Sequence, residues 1–267
     1  MARFHKMHGL GNDFVVIDLR EGMVGMMAAQ ARAIADRHTG IGCDQLILLD
    51  HAANADVAMR IFNADGSEAE ACGNATRCVA LLLGKPGRIE TLAGILEVSP
   101  ANAMAQVVMG EPAFDWARIP LAMPMDTLDM PVGWDSLDRP SAVNVGNPHV
   151  VFFVDDVEAV PLNDLGLRIE HDPLFPERVN VNVAQILAKD HIRLRVWERG
   201  VGETRACGTG ACATAVAALR RKLVTSPVTV SLPGGDLTIA WQPGEPMLMT
   251  GPATHVFTGE ADWSQFG

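Results

Sequence analysis

The stretch RIFNADGSEAEACGN, residues 60–74, lies without a gap over RVWERGVGETRACGT, residues 195–209. Five of these fifteen positions are identical, and Ile61/Val196 and Phe62/Trp197 are conservative pairs. Working outward, the same offset of 135 residues (Cys72 to Cys207) lays GNDFVVID, residues 11–18, over GNPHVVFF, residues 146–153, and Gln45 over Asn180. That offset is about half of the 267-residue chain. A repeat of this period signals internal duplication. The reading is therefore two similar domains facing each other across a pseudo-two-fold, each contributing one of these cysteines.

Short apolar runs bounded by Gly, Pro, Asn or Asp predict strands at Phe14–Asp18, Gln45–Leu49, Val57–Phe62, Gln106–Met109, Val150–Val154, Val181–Ala184, Ile192–Trp197, Val228–Leu232 and Leu237–Trp241. Ala28–Arg37 reads as a surface helix. Two other helices begin at the repeated cysteines. Cys72–Leu83 carries only Arg77 as a charge and stops at Gly84, while Cys207–Leu219 carries none before Arg220 and Arg221. A helix apolar all round is wrapped by other structure. The expected fold class is α+β: two pseudo-symmetric domains, each a curled, mostly antiparallel, barrel-like sheet around a central hydrophobic helix. The expected bounds are residues 1–117 plus 252–267 for the domain carrying Cys72 and 118–251 for the domain carrying Cys207, with the active site in the cleft between them. The proline-punctuated Leu121–Pro140 reads as the region after the crossover.

Composition narrows the function. With 48% hydrophobic and 20% charged residues, the chain can bury a sizeable core. Lys and Arg number 21 against 32 Asp and Glu, a net charge of −11, which argues against a protein that tracks nucleic-acid phosphates. Apolar runs such as Val79–Leu83 are far shorter than the roughly 18 residues of a membrane span. The start MARFHKMHGLGND lacks an apolar signal-peptide core, so the expectation is a cytoplasmic protein. Five cysteines are an odd count in a chain that needs no staples, which argues against a secreted disulfide framework. Cys43, Cys78 and Cys212 lie in apolar settings and read as packing residues. Cys207 and Cys212 have a spacing that zinc allows, but no second close Cys or His pair completes a set, so no metal is expected.

Cys72 and Cys207 each follow a polar loop and open an apolar helix. Each thiol should then sit beside unpaired backbone N–H groups at the positive end of a helix dipole. That location lowers a thiol pKa from about 8.5 toward neutrality. The same N–H groups grip a carboxylate, and Gly73 and Gly208 let a ligand approach the backbone closely. Two such ends, facing each other, would place a sulfur on either face of the carbon bearing that carboxylate. One thiolate removes the α-proton, the N–H groups hold the developing charge, and the opposite thiol returns a proton. Each well-aimed donor is worth about 2.7–4 kcal/mol, so two desolvated helix ends supply on the order of 10 kcal/mol against a severe barrier. Pyridoxal phosphate is the usual alternative electron sink and needs a Schiff-base lysine. None of the four lysines (6, 85, 189 and 222) has a convincing phosphate-cup context, so the chemistry reads as cofactor-free.

KMHGLGNDF (6–14), IFNADGSEAEACGN (61–74), GNPH (146–149), PERVNV (176–181), ERGVGETRACGTGACA (198–213) and TGPATHVF (250–257) together resemble the diaminopimelate epimerase family, over nearly the whole chain. The resemblance implies conversion of LL- to meso-diaminopimelate on the route to lysine and peptidoglycan, without cofactor, in a homodimer. It also implies roles by position. Cys72 and Cys207 match the acid/base cysteines. Gly73, Asn74, Gly208 and Thr209 match the helix-end residues that hold the reacting carboxylate, and Asn12 and Gln45 match residues near the reacting centre. Asn63, Asn147, Asn180, Glu198 and Arg199 match positions that fix the substrate, including its distal end. His149 and Glu198 match groups that help set the cysteines' pKa values. A doubly zwitterionic substrate does need a cation for its far carboxylate and oxygens for its far ammonium.

Two departures stand out. Ala75 follows Asn74 where many family members have glycine, and Phe257 stands where a tyrosine associated with dimer contact is common. Taken singly, Asn12, Asn63, Asn147 and Asn180 would read as turn residues, His149 as a structural histidine and Glu198-Arg199 as a solvated pair. A proline racemase-like two-cysteine enzyme is the alternative within the fold, but its small cyclic substrate would not require the asparagines and Glu-Arg. A cysteine hydrolase pairing a thiol with His149 would leave the second cysteine helix unused. A non-catalytic amino-acid-binding protein would bind without scrambling stereochemistry.

Overall fold

A computed structural model describes residues 2–21 and 28–266. The chain divides into two compact units, Met1–Val107 with Gly251–Gly267, and Val108–Thr250. Among the described residues, no helix is long and apolar enough to cross a membrane.

In the first unit, strand Ala2–Gly9 pairs antiparallel with both Asn12–Asp18 and Thr254–Ala261. Asn12–Asp18 runs parallel to Gln45–Asp50, which is antiparallel to Val57–Asn63. The series continues through Gly87–Thr91, parallel to Val57–Asn63, and then antiparallel through Gly94–Ala101 and Met104–Val108. Helix α1 (Ala28–Ala35) buries Ala31, Ile34 and Ala35 in a cluster with Val15, Ile17, Leu46, Leu48 and Phe62. Helix α2 (Gly73–Leu83) packs on strands Ala2–Gly9, Gly87–Thr91 and Gly94–Ala101. It stops at Gly84, which adopts φ 66° and returns its N–H to Ala80 O, a left-handed cap that glycine takes without Cβ strain.

The second unit repeats this plan. Strand Ser141–Asn144 is antiparallel to Pro148–Phe153, which runs parallel to Asn180–Ala188, and His191–Glu198 is antiparallel to Asn180–Ala188. Val228–Leu232 lies parallel to His191–Glu198, followed antiparallel by Gly235–Ala240, and Thr238, Ile239 and Ala240 of that strand pair antiparallel with Thr250, Met249 and Leu248. Helix α3 (Leu162–Glu170) covers strands Asn180–Ala188 and His191–Glu198 through Leu162, Leu165 and Ile169. Helix α4 (Gly208–Arg220) is buried continuously from Gly210 to Ala218 and packs against six strands of its own unit. Its many alanines let the sheet approach closely on every side.

The duplication extends to strand register. Phe14 pairs with Gln45, Leu46 with Phe62, and Ile61 with Ala69. The offset of 135 converts these pairs into His149 with Asn180, Val181 with Trp197, and Val196 with Thr204, all of which are observed. Beyond the helices the match loosens: Val57 pairs with Ile89, whereas its counterpart Ile192 pairs with Val230, six positions further along than the offset requires. The repeat is therefore most faithful in the segments that lead into the two cysteines.

The predicted strands all occur, and among the described residues five more belong to the first unit: Ala2–Gly9, Glu68–Ala69, Gly87–Thr91, Gly94–Ala101 and Thr254–Ala261. Predicted Ala28–Arg37 ends at Ala35, and each cysteine sits one residue before its helix rather than in the first turn. Leu121–Pro140 is mostly turns around one small hairpin, Gly133–Trp134 with Leu137–Asp138.

Glycine is unusual in mid-helix, and Gly166 of α3 has a steric reason. A Cβ there would meet Trp197 Cγ at 2.5 Å. Replacing Gly166 by Ala normally gains about 1 kcal/mol of helix propensity, but here overpacking against the indole costs about 1–3 kcal/mol. Gly166→Ala is expected to lower the urea unfolding midpoint; a raised midpoint would show that Trp197 gives way freely.

Candidate active site

In the first unit the site is built on the start of α2. Cys72 is the N-cap, with extended backbone (φ −148°, ψ 109°), and its Sγ accepts from Ala75 N at 3.5 Å. The first backbone bond of the helix runs from Thr76 N to Cys72 O, so the amides of Gly73 and Asn74 precede the intrahelical ladder. Asn12 Oδ1 lies 3.8 Å from Cys72 Sγ and accepts from Asn74 Nδ2 at 3.2 Å. Asn74 is held in turn by Arg77, which is buried and donates to Asn74 Oδ1 at 2.8 Å and to Pro252 O at 3.2 Å. Gln45 and Asn63 form a separate pair: Gln45 Nε2 donates to Asn63 Oδ1 at 2.9 Å, and Asn63 Nδ2 donates to Ser67 Oγ at 3.0 Å. Gln45 Oε1 is buried without a hydrogen-bond partner among the described residues. A satisfied core seldom leaves such an acceptor, and a ligand's donor would complete it.

Asn12 depends on charges that sequence reasoning missed. Its Nδ2 donates to Asp44 Oδ2 at 2.9 Å, and Arg37 bridges Asp44 and Asp13 at 2.7 and 2.6 Å. Lys6 also pairs with Asp13. Burial raises the Asp13 pKa, but the hydrogen bonds and charges of Arg37 and Lys6 outweigh it and hold that carboxyl at about 2. The only signal for this cluster was the acidic residue directly after Asn12.

In the second unit Cys207 is the N-cap of α4 (φ −126°, ψ 109°) and its Sγ accepts from Gly210 N at 3.3 Å. Thr209 Oγ1 is 3.5 Å from the same sulfur, and Asn147 Nδ2 reaches Thr209 Oγ1 at 3.4 Å. His149, completely buried, bonds through Nε2 to Asn147 Oδ1 at 2.9 Å. Burial drives its pKa down to about 3, so the ring is neutral at physiological pH. Asn180 Oδ1 accepts from Arg199 N at 2.9 Å while its Nδ2 donates to Pro148 O at 2.8 Å. Arg199 is exposed, and Nη1 donates to Glu177 O at 2.9 Å.

Glu198 makes the two units unlike. It takes the place of Asn63 under the repeat, so a carboxylate stands where the first unit has an amide. Burial raises the Glu198 pKa, against hydrogen bonds from Thr204 and the Cys207 thiol. Burial and the Glu198 charge push the Cys207 thiol well above its ordinary value, and the Thr209 and Gly210 donors only partly oppose them. The expectation of a thiol pKa lowered toward neutrality by the helix end is therefore overturned at Cys207: two donors do not offset burial of the sulfur and the neighbouring Glu198 charge. Glu170, also missed, braces this segment. It is buried and accepts from Trp197 Nε1 at 2.8 Å and Gly200 N at 2.9 Å, on either side of Glu198-Arg199.

The fold matches solved structures of low sequence identity. One is a phenazine biosynthesis protein of the PhzF family from Bacillus anthracis, at a TM-score of 0.69 and 18% identity over 97% of this chain and 98% of that one. In sequence, the diaminopimelate epimerase of Sphingopyxis alaskensis is 70% identical over 265 residues, covering 99% of each chain. That of Rhizorhabdus wittichii is 68% identical over 267 residues, covering all of this chain and 97% of its own. These relatives and the duplicated fold define an isomerase of the epimerase class. The family model for diaminopimelate epimerase matches residues 4–114 and 141–256, and the chain belongs to that family.

The five cysteines differ sharply in access. Burial raises Cys43 to about 11 and Cys78 to about 12, and Cys207 and Cys212 are also buried, whereas Cys72 is partly exposed. A brief iodoacetamide pulse on the folded, reduced protein is expected to label Cys72 at least about tenfold faster than any other cysteine, since exposure and thiolate character set reactivity. Mass spectrometry showing Cys43 or Cys207 labelled first would contradict this ordering.

Proposed function

We propose that the protein inverts one α-carbon of diaminopimelate, converting the LL to the meso isomer, with Cys72 and Cys207 as the two acid/base groups, one for each face of that carbon. The observation that carries this reading is the repeated cap: in both units a cysteine sulfur accepts a helix N–H while two further amides precede the ladder. Such amides match a carboxylate, and the charge of the deprotonated intermediate develops on that carboxylate's oxygens. One sulfur, as thiolate, takes the α-proton and becomes a thiol. The other, as thiol, gives its proton to the opposite face and becomes a thiolate. Atoms and charge balance, and reversal of the roles serves the return reaction.

The asymmetry supports one order of roles. Burial and the Glu198 charge both favour the protonated form of Cys207, so it supplies the proton in the direction in which Cys72 removes one. Asn12 and Thr209 contact the two sulfurs and orient them, and Asn74 and Asn147 support those contacts. Gln45, Asn63, Asn180 and Arg199 are the proposed contacts for the rest of the substrate, with the Arg199 guanidinium for its distal carboxylate. The same reading places the enzyme in the cytoplasm as a homodimer. Val256 and Phe257, exposed on strand Thr254–Ala261, are apolar side chains that a dimer contact would cover.

Reduced, metal-free protein incubated with LL-diaminopimelate should produce the meso isomer, read by chiral separation. Cys72→Ala and Cys207→Ala should each lose more than about a hundredfold in turnover, the contribution of a placed proton-transfer group, while unfolding as the parent does. Near-parental turnover in either variant would remove that sulfur from the mechanism. Inversion of proline in place of diaminopimelate would support the racemase alternative.

A further inference from the structure

Asn182 is a buried amide in an apolar strand, on the same face as Asn180, and neither composition nor the repeat marks it: its counterpart in the first unit is Ile47. Its Nδ2 lies 3.0 Å from Val150 O, 3.4 Å from Asn180 O and 3.1 Å from His149 Nδ1. Two of these neighbours are backbone carbonyls, which only accept, so the amide nitrogen must occupy this side. It follows that His149 Nδ1 accepts and the single imidazole proton sits on Nε2. That proton is donated to Asn147, so the atom of Asn147 facing it is the oxygen, and the nitrogen is turned toward Thr209 Oγ1. Because the Cys207 thiol directs its own proton to Glu198, Thr209 is the donor in this contact and points its proton at Cys207 Sγ.

We propose that Asn182 is a positioning residue for the acid/base chemistry of Cys207: anchored on the Val150 and Asn180 carbonyls, it fixes the direction of a chain through His149, Asn147 and Thr209 that ends as a donor on the sulfur. His149 then acts as a neutral relay of fixed tautomer and supplies no positive charge. The arrangement leaves Asn182 Oδ1 buried without a partner among the described residues, 2.8 Å from where a Cβ on residue 210 would lie, so Gly210 makes room for it. The charged groups acting on His149 and Cys207 are Arg199 and Glu198, respectively, and neither is a link in the chain.

The inference rests on Cys207 being an acid/base group, but its first test does not. Long-range proton–nitrogen spectra of histidine-labelled enzyme, with the ring assigned by its loss in His149→Gln, should show the Nε2–H tautomer unchanged between about pH 5 and 9, as its buried neutral ring requires. An Nδ1–H ring or an imidazolium in that range overturns the proposal, whatever Cys207 does. In the second test, Asn182→Leu frees the tautomer and lets Thr209 turn its proton away from the sulfur. A hydrogen bond to an ionised group is at stake, so kcat should fall about tenfold or more, KM should change little, and the pH limb that reports Cys207 should move upward. On a Thr209→Val background, where the last link is missing, Asn182→Leu should move that limb no further. An unmoved limb in the single variant, or an equal shift in both backgrounds, overturns the proposal. Loss of epimerisation in Cys207→Ala, measured alongside, separates failure of this chain from failure of the two-cysteine reading.

Discussion

In each unit, a sulfur accepts the N–H of the residue three positions on and closes the first turn of an apolar helix. Most of the surrounding structure serves that contact. A cap sulfur is fixed to within the tolerance of its helix, and the helix is fixed by the strands around it, so the reactive atom inherits the rigidity of the core. The same cap leaves neighbouring amides outside the helical ladder, where they favour an anion. Position and charge stabilisation thus come from one local structure. The core can be alanine-rich because its function is to hold a helix end in place.

Duplication explains why there are two such ends, and divergence explains why they are not equivalent. The register of the strands leading into each cysteine is conserved between the units, so the corresponding side chains occupy corresponding places. At those places Asn63 becomes Glu198, Phe14 becomes His149 and Ile47 becomes Asn182. The first unit sets the Asn12 amide beside its sulfur, held by the Lys6, Asp13, Arg37 and Asp44 network. The second brings a carboxylate and a buried neutral imidazole. An inverting enzyme needs one group charged and one protonated at the start, and two identical environments would not provide that difference.

Much of this was legible in the residues. The repeat, the strands with clean apolar runs and the two helix starts all follow from local patterns that tertiary structure reinforces. Ala2–Gly9 was missed because its period is broken: a register shift between Lys6 and Met7 puts Phe4 and Met7 in the core with two polar residues between them. Helix α3 was hidden by Gly166, which reads as a breaker until Trp197 is seen filling the space above it. The site residues could be marked by position, but their partners could not. Asp44, Glu170 and Asn182 act across strands or from a separate helix, and sequence spacing carries no trace of such contacts. The direction of the Cys207 pKa was misjudged for the same reason: helix context is local, while the burial of the sulfur and the Glu198 charge come from the surrounding strands.

The proposed mechanism needs two sulfurs to divide one inversion between them. Turnover of LL-diaminopimelate in deuterium oxide, stopped at low conversion and read by mass and stereochemistry, tests this most directly. Two separate groups predict a meso product carrying solvent deuterium at the inverted carbon, with the remaining LL substrate still unlabelled. Return of the substrate's own hydrogen to the product, or deuterium entering the recovered LL substrate ahead of the product, would mean that a single group serves both faces and would contradict it.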